Sequence, residues 1–226
     1  TIDNLRKKFK KDSSIINNKQ IIGLTYHEDL EKRIPRNEID KYNQVLQEIC
    51  NDISPHLIMS INGSYRRGVS TSGDIDLLIT GPEGQTEILR KKLINKLKEK
   101  NIIIEVLASG KKKFMGIVKL EEHGYTTARH LDIIDTAPDN YPFAVLYFTG
   151  SGGFNSMMRG VALSKGYSMN EYCLSHKKTK KPIEPEIIFE KLGKSNFETE
   201  KDIFKFLDME YVEPCDRNNV TMNKIF

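Results

Sequence analysis

The sequence predicts an α+β protein: a twisted mixed sheet with helices on one face up to about residue 137, then a smaller α+β unit to the end. Three observations carry this. Five apolar segments of strand length fall between residues 57 and 135. Basic, amphipathic helical sequence interrupts them only once, at about 86–100, so a regular βαβ alternation is absent. After Pro138 the pattern changes to two consecutive helical stretches, each closed by glycine.

Residues 1–33 are basic and helical in part, with "INNKQIIGL" (16–24) expected to be a breaker-rich loop. Pro35 and Asn37 announce a helix. Ile39, Tyr42, Val45, Leu46 and Ile49 follow at helical spacing, so one of its faces is core. "LIMSI" (57–61) reads as a buried strand that Gly63-Ser64 breaks. "DIDLLIT" (74–80) alternates, with Asp74 and Asp76 on one face and Ile75, Leu77 and Ile79 on the other. "GPEGQ" (81–85) turns into the basic helix. "IIIEVLA" (102–108) and "KFMGIVKL" (113–120) are strands joined by a loop with Gly110 and three lysines. "RHLDIID" (129–135) is a further strand that puts His130 and Asp132 on one face. Beyond it come the helices of "YPFAVLYFTG" and "GGFNSMMRGVALSKG", then short strands and a helix near 199–208.

Composition bounds the function classes. The 226 residues are 38% hydrophobic and 29% charged, which fits a folded protein with a sizeable core and argues against disorder. No apolar run approaches the length of a membrane span, so no membrane partner is expected. "TIDNLRKKFK" does not read as a signal peptide, and without an initiator Met it suggests a processed chain or a fragment of something longer. Three cysteines without CxxC spacing argue against a disulfide framework or a zinc site. The net charge of +4 says little, but "RKKFKK" (6–11), "RKKLINKLKEK" (90–100), "KKK" (111–113) and "KKTKK" (177–181) point to a polyanionic partner.

The chemistry concentrates in "GSYRRGVSTSGDIDLLIT" (63–80). Two carboxylates at i and i+2 of a strand repel each other strongly unless a cation lies between them. An acidic pair kept in a cleft suits a hard divalent metal. Asp-x-Asp alone is a weak signal; Asp132 on a neighbouring strand completes the three acids that suit two Mg²⁺ ions in phosphoryl transfer. Upstream, Gly63 permits close backbone approach, Ser64 supplies a hydroxyl, Arg66 and Arg67 neutralise charge, and Ser72-Gly73 adds donors just before Asp74.

In this combination the stretch resembles the nucleotidyltransferase signature of family X DNA polymerases, the family of DNA polymerase beta. "GLTYHEDLEKRIPR" (23–36), "LYFTGSGGFNSMMR" (146–159) and "ETEKDIFKFLDMEYVEPCDRN" (198–218) extend the resemblance over nearly the whole chain. It implies a partial DNA-binding subdomain at 1–33, a catalytic palm at 34–137 carrying the carboxylate triad, and a nucleotide- and template-selection subdomain at 138–226. It implies that Asp74 and Asp76 bridge both metals, and that Asp132 holds the catalytic ion near the primer 3′-hydroxyl and accepts its proton. It assigns triphosphate contacts to Ser64, Arg67, Ser72 and Gly73, with Arg33 as an outer phosphate contact. Tyr147, Phe148 and Gly150 match the segment against sugar and base, and Asn155 a minor-groove contact to the incoming base. Lys113, His130 and Arg159 are read as DNA contacts.

The implied reaction is template-directed addition of a dNTP to a primer 3′-hydroxyl with release of pyrophosphate. It uses two Mg²⁺ ions, with Mn²⁺ as a substitute, and primer-template or gapped DNA, and the chain acts as a monomer. A template-independent terminal transferase and a non-catalytic DNA-binding module stay open as rivals. The setting implied is intracellular: the nucleus, or a viral or organellar compartment. The chain departs from the family's pattern at Gly152, Ser156, Ile134 and His130, the last standing where relatives commonly carry arginine. The lyase and helix-hairpin-helix regions of relatives are expected to lie outside it.

Overall fold

The computed structural model describes residues 1–218. Three helices, α1 (Ile2–Lys11), α2 (Asn18–Thr25) and α3 (His27–Leu30), precede the sheet. Most of "INNKQIIGL" is therefore helix α2, not loop. The asparagine that reads as a breaker serves as a cap: Asn17 Oδ1 accepts from Gln20 N, and Gln20 Oε1 accepts from Asn17 N.

The short strand β1 (Ile34–Pro35) leads into α4 (Arg36–Ile53), whose N-cap is Pro35. All five apolar positions read from its periodicity are buried. Next come β2 (Ile58–Ile61), the one-turn helix α5 (Gly63–Arg66), β3 (Thr71–Ser72), β4 (Ile75–Thr80), α6 (Thr86–Glu99), β5 (Ile103–Ser109), β6 (Lys113–Leu120) and β7 (Tyr125–Asp135). Strands β2, β4, β7, β6 and β5 form one mixed sheet in that order; β4 and β7 run parallel and the other neighbours antiparallel. Strand β7 starts four residues before the apolar segment read from the sequence, because Gly124 at φ +82° closes a tight turn that pairs Tyr125 with Leu120.

Strand alternation sorts the two faces of the sheet. Ile75, Leu77, Leu131 and Ile133 join the core under α4 and α6. Asp76, Leu78, Asp132 and Ile134 lie on the other face. There α7 (Tyr141–Thr149) packs Ala144 and Val145 on Leu78. Helix α8 (Gly152–Ser164), the hairpin of β8 (Tyr167–Met169) and β9 (Leu174–His176), α9 (Pro185–Leu192) and α10 (Glu200–Phe206) gather around a second core that includes Phe154, Phe204 and Phe206. Helix α9 is an addition to the elements read from the sequence; Pro185 opens it and Gly193, at φ +78°, stops it.

Candidate active site

Asp76 and Asp132 face each other in register across the parallel pair β4–β7. Asp74 is exposed on the loop just before β4. Burial, then the charges of Asp74 and Asp132, push the Asp76 carboxyl up to about 7; Lys113 and Arg67 oppose the shift. Asp76 therefore lies within the field of both other acids. Among the described residues the three acids do not form a closed metal cage. Asp132 is held by a cation of the protein itself: Lys113 Nζ lies 2.6 Å from Asp132 Oδ2. An anionic cluster with oxygen donors, an elevated carboxyl and a borrowed ammonium fits a hard divalent cation.

The backbone comes unusually close to this cluster at Gly63. Its φ is +59°, and a Cβ there would overlap Asp76 Oδ2. Glycine is thus required twice, for the left-handed conformation and for the approach. The turn after it brings Ser64 Oγ within 2.8 Å of Ser72 Oγ, and Ser72 is buried. Gly73 is exposed, and Arg33 NH1 would lie 3.2 Å from a Cβ placed on it. Arg33 is anchored there because β1 pairs with β3 and because its guanidinium donates to Thr71 O at 2.7 Å. Arg33, Ser64, Ser72 and Gly73 therefore form one rim beside the carboxylates.

Two arginines that are adjacent in sequence separate here. Arg67 donates through NH1 to Thr149 O and through Nε to Asn218 Oδ1, both at 2.7 Å. Gly150 sits against it: a Cβ there would stand 3.3 Å from Arg67 NH1. Arg66 does not join that rim. It is clamped on Glu200 through both terminal nitrogens and donates to Thr149 Oγ1. Arg217, wholly buried, meets the same carboxylate, and the Tyr211 hydroxyl donates to it. No local signal in the sequence marks Thr149, Glu200 or Asn218 as partners of this turn, because the contacts span between 82 and 151 residues.

A second group surrounds the end of α7. Tyr147 and Phe148 meet edge to face with ring centres 5.1 Å apart. Asn155 Nδ2 donates to Tyr147 O at 2.8 Å, and the Arg159 guanidinium lies 5.2 Å from the Tyr147 ring centre. Phe148 also packs with Ile134 against the Leu78 cluster. Arg67, bonded to Thr149, ties this group to the carboxylates. At Gly152 a Cβ would meet open space. His130 is half-buried on the Asp132 side of β7. Its neighbour Arg129, by contrast, is buried and paired with Glu38 at 2.7 Å.

The DNA polymerase beta palm family matches residues 33–138, and the DNA polymerase beta thumb family matches residues 144–218. The chain belongs to family X of the DNA polymerases. It is 34% identical to DNA polymerase lambda of Rattus norvegicus over 208 residues, covering 88% of this chain and 35% of that protein. It is 31% identical to DNA polymerase lambda of Arabidopsis thaliana over 222 residues, covering 92% and 41%. It is 26% identical to DNA-directed DNA/RNA polymerase mu of Homo sapiens over 251 residues, covering 96% and 47%. The chain thus spans between about a third and a half of the relatives it matches. The three acids and the rim of Arg33, Ser64, Ser72 and Gly73 fall within the palm match, and Tyr147, Phe148, Asn155 and Arg159 within the thumb match.

Proposed function

We propose that this chain carries the catalytic portion of a template-directed DNA polymerase of the repair type, which adds dNTPs to a primer 3′-hydroxyl. The observation that carries the reading is Asp76 facing Asp132 across β4–β7, with Asp74 beside them and the rim of Arg33, Ser64, Ser72 and Gly73 adjoining. In the reaction the 3′-hydroxyl gives its proton to Asp132, its oxygen bonds to the α-phosphorus, the bond from that phosphorus to the bridging oxygen breaks, and pyrophosphate leaves. Asp74, Asp76 and Asp132 would hold two Mg²⁺ ions, with Mn²⁺ as a substitute, and the ions would neutralise charge on the oxygens around the reacting phosphorus.

The chain's own groups orient the reactants. Ser64, Ser72 and the Gly73 backbone offer donors to a triphosphate, and Arg33 and Arg67 offer charge at its flank. Tyr147, Phe148 and Gly150 form the wall against the sugar, where a 2′-hydroxyl would meet side chain and backbone. Asn155 and Arg159 stand on α8 at the side of the nascent pair and template. Most of the four basic runs would supply sequence-independent phosphate contacts. The domain roles follow: residues 1–33 as a partial DNA-binding unit, 34–137 as palm and 138–226 as the selecting unit. No helix among the described residues is long and apolar enough to cross a membrane, and a DNA substrate favours the nucleus as the place of work.

Primer extension on gapped DNA, with and without a template strand, tests the reading. Extension that requires the template and disappears in Asp132→Asn, with primer-template binding kept within a few fold, is the expected result. Extension of a single strand would favour terminal transfer, and binding without incorporation would favour a DNA-binding module.

A further inference from the structure

Lys113 opens β6, and its place there is fixed from both sides. Gly110 N donates to Lys113 O at 2.8 Å, and Lys112 lies over the Tyr172 ring at 5.1 Å. In the antiparallel pair β6–β7, Met115 stands opposite Asp132 and Lys113 opposite Ile134. Lys113 and Asp132 are therefore diagonal neighbours on the cleft face, within reach of a long side chain. The Asp132 side chain is 16% exposed and that of Lys113 is 46% exposed. The lysine reaches in from solvent to a carboxylate that is mostly covered.

Two cations of the chain act on the acidic cluster, Lys113 and Arg67. Arg67 is committed to Thr149 and Asn218. Lys113 ends in a flexible ammonium with one carboxylate partner. It can move away at little cost to the fold. His130 stands two residues from Asp132, yet the charge paired with Asp132 comes from the adjacent strand.

We propose that Lys113 is the resident counter-ion of the third carboxylate, and that a divalent cation must displace its ammonium from Asp132 to bind there. This rests on reading the three acids as metal ligands. The physical ground is that one carboxylate oxygen cannot hold an ammonium at 2.6 Å and a divalent ion together without strong repulsion. By linkage, whatever Lys113 contributes to holding Asp132 is subtracted from metal affinity. Lys113 is thus a positioning residue that sets how much divalent ion the protein needs before it loads.

The test is Mn²⁺ titration of the whole chain without DNA or nucleotide, followed by electron paramagnetic resonance of free Mn²⁺ at fixed ionic strength. Lys113→Gln is expected to bind Mn²⁺ up to about fivefold more tightly, the scale set by a partly exposed ion pair, and Lys113→Arg to stay near wild type. The gain should vanish when Lys113→Gln is combined with Asp132→Asn. An unchanged Lys113→Gln, or an equal gain in the Asp132→Asn background, would overturn the proposal. The metal-ligand reading fails separately, if Asp76→Asn and Asp132→Asn each bind Mn²⁺ as the wild type does.

Discussion

Asp76 and Glu200 are two largely covered carboxylates with opposite electrostatics. Burial raises both. At Asp76 the nearby charges of Asp74 and Asp132 add to it, and the group is pushed up to about 7. At Glu200 hydrogen bonds from Arg66 and Arg217, together with their charges, outweigh burial and leave the group at about 2. The difference lies in the company each acid keeps. Glu200 is paired on several sides and joins the turn of α5 to α10 and the segment after it. Asp76 faces other acids and has a strand partner that is itself one. A paired buried charge serves the fold, whereas an acid kept among acids is a device waiting for a cation.

The sharpest way to break this comparison is Asp76→Asn. Incorporation should fall on the order of 10³-fold or more, the scale of several kcal/mol of transition-state stabilisation. Thermal stability should hold or rise, because the change removes a repelled charge. Incorporation comes from single-turnover assays and stability from calorimetry. A variant that melts several degrees lower would show that Asp76 is as structural as Glu200.

Glu200→Gln probes the other side. It leaves Arg217, fully buried, and Arg66 without their anion. The expected cost is about 3–5 kcal/mol, the scale of a broken buried pair, read from urea unfolding. Glu186→Gln, on the exposed start of α9, is the control and should shift stability by less than about 0.5 kcal/mol. A Glu200→Gln loss no larger than the control's would mean that the arginines find other partners.

The two sides were not equally legible in the sequence. Asp76 and Asp132 read directly, because strand alternation fixes which side chains share a face over a few residues; Asp74, expected on the same strand, lies on the loop just before it. The five sheet strands and the buried face of α4 read for the same reason. The Glu200 network did not. Arg66 and Arg67 look alike, and only the docking of the second core on the first sends one to Glu200 and the other to Asn218. Helix α2 was missed because Asn17 has two local uses, breaker and cap, and Gln20 decides between them. Lys113 reads as a DNA contact because it belongs to a basic run; its pairing with Asp132 depends on the antiparallel register, which is invisible in one strand.

Acid titration sharpens the comparison further. The folded-state value of Glu200 lies below its ordinary 4.5, so its contribution is fully present above about 4.5 and is lost as pH falls toward about 2. A shift of this size corresponds to about 3 kcal/mol. Urea midpoints measured across that window should fall steeply for the wild type and less steeply for Glu200→Gln. Parallel curves would show that other acids govern the acid limb.

A smaller loss of stability than at Glu200 is expected at the backbone that lets Asp76 be covered at all. Gly63→Ala must place a Cβ where Asp76 Oδ2 lies, in a residue at φ +59°. The left-handed conformation alone costs an alanine about 1–2 kcal/mol. The overlap then moves either the turn or the carboxylate, and both belong to the proposed site. Gly152→Ala adds the same methyl at the start of α8, where a Cβ meets nothing within 4 Å, and should be neutral or slightly stabilising. Unfolding free energies of the pair, set beside their incorporation rates, separate the two demands. Gly63→Ala should lose more in rate than its stability explains, because the displaced group is Asp76. If both variants lose rate only in proportion to stability, the close approach at Gly63 serves the turn and not the carboxylate.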